Sequence, residues 1–206
     1  MKVLLINGSP HEKGCTYTAL SLIAGELKAQ GIETEILHVG GQPVGGCIGC
    51  GGCRSGNGCV FGGVVNEAIE KAKTADAFVF GSPVHYASAA GNMASFMDRL
   101  AYAGGKYLAY KPAAICCSAR RAGTTSTLDQ LVKYPQFFHM PLVNGSYWAM
   151  VHGSNPEQVL QDAEGCAVMQ ELGRNMVWLL RCIEAGKAAG IDHPQNPPRP
   201  MTSFIR

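Results

Sequence analysis

No stretch of the 206-residue chain approaches the ~18 consecutive apolar residues of a membrane-spanning helix, so no membrane partner is expected. The opening MKVLLINGSP is too short and too soon polar for a secretory signal, and the expected compartment is the cytoplasm. Charge is scarce as well. Asp, Glu, Lys and Arg make up 16% of the residues and the net charge is +2, which gives no reason to expect a nucleic acid or an anionic surface as partner. Arg120-Arg121 is the only adjacent basic pair. Two nucleotide signatures are missing: no G-x-G-x-x-G supports a Rossmann dinucleotide site, and no G-x-x-x-x-G-K-[ST] supports a P-loop ATPase. With no internal repeat or dividing linker, residues 1–190 are expected to form a single domain. Residues 191–206 then read as an extended tail, because Pro194, Pro197, Pro198 and Pro200 cannot continue a helix. That tail is either a loose end or an arm laid on a partner subunit, with Phe204-Ile205 as its apolar tip.

Apolar residues, by contrast, reach 47%, enough for a substantial core and far from the composition of a disordered chain. Their periodicity alternates between strand and helix. Lys2–Asn7, Ala77–Gly81 and Ala113–Cys117 are short continuous apolar runs, the pattern of strands buried on both faces. Ile32–Val39 alternates more, as a strand near a sheet edge would, and a last strand is expected around Pro141–Tyr147. Helices are expected at Thr16–Gln30, Val64–Thr74, Asn92–Ala103 and Ser126–Tyr134, with a long one from Asn155-Pro156 to Ala188 that Gly165 or Gly173 could interrupt. Five strands alternating with helices predict an α/β fold, a doubly wound parallel sheet with helices on both faces.

In such a sheet ligands gather at the carboxyl ends of the strands. The loop after the first strand offers the hydroxyls of Ser9, Thr16 and Thr18 beside the start of a helix, a combination suited to a phosphate monoester. The competing reading is an ordinary capped helix. Tyr86, after Ser82-Pro83, could lie flat on a ring system or pack on the next helix. His85 is a candidate contact to substrate or a solvated loop residue. Arg120 and Arg121 could steady an electron-rich ring edge or a phosphate, with one of them free in solvent.

Nine cysteines in a reducing compartment suggest metal or redox chemistry more than disulfides. Cys47, Cys50, Cys53 and Cys59 follow a C-x2-C-x2-C-x5-C spacing, with Gly49, Gly51, Gly52, Gly56 and Gly58 to permit tight bends. Overlapping C-x-x-C steps look more like the run that grips a 4Fe-4S cluster than like zinc, whose cysteine pairs usually stand a dozen or more residues apart. Free thiols remain the third alternative. Cys116, Cys117, Cys166 and Cys182 read as small buried hydrophobes.

Gly8-Ser9-Pro10 with Gly14 and Thr16, the run Cys47–Cys59, Gly81–Tyr86 and Asp98-Arg99 together resemble the NADPH-dependent FMN reductase family. More narrowly, they are similar to its iron–sulfur flavoprotein branch, over about residues 2–147. The resemblance implies a flavodoxin-like five-stranded sheet of order 2-1-3-4-5, FMN as cofactor, and a homodimer or homotetramer whose subunits complete each other's sites. It implies further that Ser9, His11, Cys15, Thr16, Tyr17 and Thr18 form the phosphate loop. Pro83, Val84, His85 and Tyr86 would run along the isoalloxazine, and Ser118, Arg120 and Gly123 would belong to a third flavin-contacting segment. Cys47, Cys50, Cys53 and Cys59 would be cluster ligands. His11 stands where such loops often carry arginine, which would make its phosphate contact pH-dependent.

The expected chemistry is transfer of hydride from NAD(P)H to FMN and on to a quinone-, nitro-, azo- or flavin-type acceptor. No side chain is expected to act as an essential acid or base, and Arg120 and His85 are candidate assistants. The rival expectations are an FMN and 4Fe-4S electron carrier served by ferredoxin, and a non-redox regulatory domain that binds zinc.

Overall fold

The computed structural model describes residues 1–202 and 204, which form six β-strands and six α-helices. Strands β1 (Lys2–Asn7), β2 (Glu33–His38), β3 (Ala77–His85), β5 (Ala113–Ala119) and β6 (Met150–His152) make one parallel sheet in the order β2-β1-β3-β5-β6. The two-residue β4 (Ser88–Ala89) folds back antiparallel on the end of β3 and lies off this path. With β4 set aside, the order is the expected 2-1-3-4-5.

Alternation along the central strands splits the core into two layers. Leu4, Ile6, Phe78, Phe80, Ala113 and Ile115 face one side, which is covered by α2 (Val64–Thr74), α3 (Gly91–Gly104) and α4 (Thr124–Phe137). Val3, Leu5, Ala77, Val79, Ala114 and Cys116 face the other, under α1 (Cys15–Ala29) and α6 (Ala163–Ala188). Burial on both faces explains why β1 and β5 read as unbroken apolar runs, while edge strand β2 is buried only at Leu37.

Four expectations need correction. The last strand is Met150–His152, not Pro141–Tyr147, which contributes only the isolated bridge of Leu142 to Ala113. β3 runs through Ser82-Pro83 to His85, because Pro83 lies where the ladder with β5 is ending and its missing N–H costs little. β5 likewise continues two residues further, to Ala119, so Ser118 belongs to the strand.

The long C-terminal helix breaks at Asp162 and at neither glycine. Asn155 caps α5 (Pro156–Gln161) through Gln158 N–H, and Asp162 caps α6 through Gly165 N–H at 3.0 Å, so side-chain acceptors set the boundary. Gly173 has a packing role: a Cβ there would stand 2.7 Å from Glu26 Cβ and 2.9 Å from Ile23 O on α1.

The tail lies against its own chain. His193 stacks on Tyr110 with ring centroids 4.4 Å apart, Asn196 Nδ2 donates to Tyr110 Oη at 2.7 Å, and Arg199 sits over the Phe137 ring. Phe204 is exposed, and Ile205 lies outside the described residues. Among the described residues no helix is long and apolar enough to cross a membrane.

Candidate functional site

The chain runs from β1 out to β2 and then back across β1 to β3, so the crevice beyond the carboxyl ends of β1 and β3 is where a doubly wound sheet receives ligands. The residues there build their loop from two consecutive short turns. Buried Asn7 accepts from Ser9 N–H at 3.1 Å and donates to Glu12 O at 2.9 Å, and Ser9 Oγ accepts from His11 N–H at 3.1 Å. His38 Nε2 holds Ser9 O from the neighbouring strand at 2.8 Å. The chain leaving β2 passes so close that a Cβ on Gly40 would stand 2.1 Å from Ser9 O.

This loop delivers the start of α1, where Gly14 is the N-cap and no side chain among the described residues caps the first turn. Its N–H groups, which have no acceptor within the helix, carry the positive end of the helix dipole. Thr16, 1% exposed, shares a hydrogen bond of 2.8 Å with Ser118 on β5, and the pair sits buried below the helix start. Thr18 donates back to Gly14 O at 3.1 Å, which commits its hydroxyl to the helix. Cys15 points to Gly153 O at 3.5 Å, and burial pushes its thiol pKa up. Tyr17 is half-buried and His11 exposed.

At the end of β3, Pro83 and Val84 are half-buried, and His85 and Tyr86 are exposed. Tyr86 and Ala87 form the tight turn into β4 with φ of 48° and 59°, left-handed values that cost a non-glycine residue about 1–2 kcal/mol each. Surrounding contacts hold the turn: Ser126 Oγ donates to Ala87 O at 2.6 Å, and Gln130 Oε1 accepts from Ser88 Oγ and Ala89 N–H. A Cβ on Gly123, the N-cap of α4, would stand 2.6 Å from Ala87 Cα. Tyr86 thus projects from a braced turn with its side chain fully open to solvent. Arg120 and Arg121 are exposed at the end of β5.

The structure therefore joins the predicted phosphate loop to Ser118, and the Tyr86 turn to the Gly123 loop. It leaves His11, His85 and Arg120 at the solvent-facing rim. Asn7, His38 and Ser126 were not singled out from the sequence. Of these, Asn7 had a readable signal, an Asn two residues before Ser9 at a strand end. The partners of His38 and Ser126 are 29 and 39 residues away.

The cysteine loop begins beside Gly40 and then runs down the flank of α3. Asn92, Ser95, Arg99 and Tyr102 share one stripe of that helix. Asn92 holds the carbonyls of Gly40 and Gln42 and the N–H of Val44, and Arg99 reaches Gly45 O, Gly62 O and Cys59 Sγ. Seven residues of helix, about 10 Å of rise, separate Asn92 from Arg99. The four sulfurs line a cavity of about 300 Å³ with Phe61, Arg99 and Tyr102. Gly49, Gly51, Gly56 and Gly58 take positive φ, as the bends around the sulfurs require; Gly52 does not.

Among the described residues no three His, Cys, Asp or Glu side chains converge as ligands of a metal ion. Cys47, Cys50, Cys53 and Cys59 are the residues that could hold a metal group here, either a cubane with one thiolate per iron or a single zinc ion. A larger cavity, about 460 Å³ between α4 and residues 142–149, is lined by none of the predicted site residues.

Residues 1–155 match the family described as NADPH-dependent FMN reductase. The chain belongs to that family. An iron-sulfur flavoprotein of Methanocaldococcus jannaschii is 27% identical over 89% of this chain and 100% of its own length. An iron-sulfur flavoprotein of Archaeoglobus fulgidus is 36% identical over 99 residues, 48% of each chain. Among solved structures, a flavoenzyme NAD(P)H:(acceptor) oxidoreductase from Paracoccus denitrificans superposes with a TM-score of 0.64 at 13% identity, covering 88% of this chain and 97% of the other. The fold is flavodoxin-like, and family membership makes FMN the flavin and oxidoreduction the class of chemistry.

Proposed function

We propose that this FMN-dependent oxidoreductase takes electrons from NAD(P)H and passes them to a quinone-, nitro-, azo- or flavin-type acceptor. The observation that carries the reading is the uncapped start of α1 above the buried Thr16–Ser118 pair, in a chain of the FMN reductase family. FMN, when bound, supplies hydride and electron transfer at its ring. The chain's own residues bind and orient.

The N–H groups of the first turn of α1 and the loop Ser9–His11 would receive the phosphate, with charge supplied by the helix dipole. Thr16 and Ser118, holding one hydrogen bond between two hydroxyls, retain a second hydroxyl hydrogen that can be donated to it. Pro83, Val84, His85 and the braced Tyr86 would lie along the isoalloxazine, and Gly123 would close that segment from α4. Arg120 at the rim would balance negative charge on the ring edge or on a nicotinamide nucleotide phosphate. No side chain is assigned as acid or base. Residues 1–190 form the flavin domain on this reading, the protein works in the cytoplasm, and a homodimer or homotetramer is its assembly.

A second reading is favoured by the cysteine cavity: an electron carrier holding FMN and a 4Fe-4S cluster on Cys47, Cys50, Cys53 and Cys59, served by ferredoxin. Four cysteines lining one cavity, with a buried cation on Cys59 Sγ, support this reading.

Steady-state oxidation of NADH and NADPH by FMN-loaded protein, with a quinone and a nitro or azo dye as acceptors, tests the first reading. Turnover with at least one acceptor is expected, and none with any acceptor would sink it. About four irons per chain in protein purified without oxygen, with electrons taken from reduced ferredoxin and not from NAD(P)H, would establish the second.

A further inference from the structure

Arg99 is 7% exposed, although it sits on a helix at the molecular flank. A buried guanidinium is costly unless an anion compensates it. Among the described residues no carboxylate pairs with it. The neighbouring Asp98 instead accepts from Tyr134 Oη at 2.6 Å. The acceptors of Arg99 are two backbone carbonyls, Gly45 O at 3.4 Å and Gly62 O at 3.0 Å, and one sulfur, Cys59 Sγ, which Nε approaches at 3.2 Å. Phe61 covers the guanidinium at 5.6 Å from its ring centroid. The carbonyls accept from two of its N–H groups but do not neutralise its charge. That charge calls for anionic sulfur in the cavity.

Cys59 has an independent backbone anchor. Asn66 Oδ1 accepts from Cys59 N–H at 2.8 Å, and Asn66 Nδ2 donates to Cys59 O at 3.0 Å. Holding the residue in place is thus already assigned to α2, and the Arg99 contact adds charge on the sulfur itself.

We propose that Arg99 sets the reduction potential of an iron–sulfur group held by Cys47, Cys50, Cys53 and Cys59, acting as its buried counter-charge through Cys59 Sγ. The assignment rests on the cluster reading above. Each electron the group accepts adds one negative charge beside the guanidinium. A fixed, buried cation on Cys59 Sγ therefore stabilises the more negative form, and its removal lowers the potential. Arg99 is a positioning and tuning residue; it binds no iron.

The test is anaerobic reconstitution of the whole chain with ferrous iron and sulfide, for wild type, Arg99→Met, Arg99→Gln and Asn66→Ala. Iron and acid-labile sulfide are counted, and the midpoint potential is read by electron paramagnetic resonance. About four irons per wild-type chain are expected. In Arg99→Met that retains iron, the ratio of reduced to oxidised group at a fixed potential should fall at least tenfold, a shift of about 59 mV for a one-electron couple. Asn66→Ala, which loosens Cys59 and leaves the cation in place, should lose occupancy while its loaded fraction keeps the wild-type potential.

An unchanged potential in iron-loaded Arg99→Met overturns the proposal. If that variant holds no iron, Arg99→Gln decides by the same criterion, and failure of both to hold iron while Asn66→Ala holds it overturns the tuning role in favour of a purely structural one. Wild type that takes up no iron overturns the cluster reading together with this assignment. Flavin bound in the same sample would leave the oxidoreductase reading standing.

Discussion

At Thr16 the hydroxyl lies 2.8 Å from that of Ser118, with both residues buried, so Thr16→Val strands Ser118 Oγ without its partner. A loss of about 1–3 kcal/mol in stability is expected by urea titration, together with weaker FMN binding by fluorescence quenching. In the double variant with Ser118→Ala the stability effects should be less than additive, because both changes delete the same bond.

The cysteines divide just as sharply by environment. Burial pushes the Cys117 thiol up to about 12 and raises that of Cys116 further. Both should resist alkylation in native apoprotein, while exposed Cys47, Cys50 and Cys182 react; mass spectrometry of iodoacetamide-treated protein before and after unfolding checks this. The sequence marked Thr16 by its hydroxyl and the four-cysteine run by its spacing, while Ser118 was reached only through the family resemblance. It gave no sign that Arg99 would be buried, since burial of an arginine depends on which sulfur and carbonyls meet it from 37 to 54 residues away.

Between elements, a charge network joins edge strand β2 to β1 and α2. Glu35 pairs with Lys71 and Lys2, and their hydrogen bonds hold its carboxyl below the ordinary value. A depressed carboxyl pKa stabilises the fold above the unfolded value near pH 4.3, and that contribution disappears as pH falls through the lower folded value. Glu35→Gln should therefore cost below about 1 kcal/mol at pH 7, the group being solvent-screened, and almost nothing once the pH is well below the folded pKa. Denaturant midpoints of both proteins, followed from pH 7 down through the acid range, should converge as the pH falls.

Element boundaries were legible where periodicity governed them. The bounds of α2 agree with expectation at both ends, and α3 lies within one residue of the expected Asn92–Ala103, burying Met93, Phe96, Met97 and Leu100 at helical spacing. They were misread where a polar side chain set them, as at Asp162. They were misread again where a strand's length depended on pairing with a neighbour, as in the continuation of β3 to His85.

For the whole molecule, the tail from Ile191 touches the body at Tyr110 and Phe137, neither of which is among the proposed flavin-contacting residues. A chain ending at Gly190 is expected to fold and bind FMN with unchanged affinity, losing at most about 1 kcal/mol, because those contacts are few and largely exposed. Isothermal titration and urea unfolding of the truncated protein measure both. Loss of FMN binding would refute a flavin domain complete within residues 1–190.

The sequence alone determined the layered sheet, because short continuous apolar runs ending at turn residues and alternating with helical periodicity are the pattern of strands buried on both faces. It also marked candidate groups for the chemistry, in the hydroxyl-bearing loop after β1 and the cysteine spacing. Only the tertiary structure decided that Ser118 pairs with Thr16, that Ser126 and Gln130 brace the Tyr86 turn, and that the cysteine loop descends along α3 to line a cavity with Arg99. Each of those contacts joins residues tens of positions apart, and local propensity carries no information about pairings made by the packing of the whole chain.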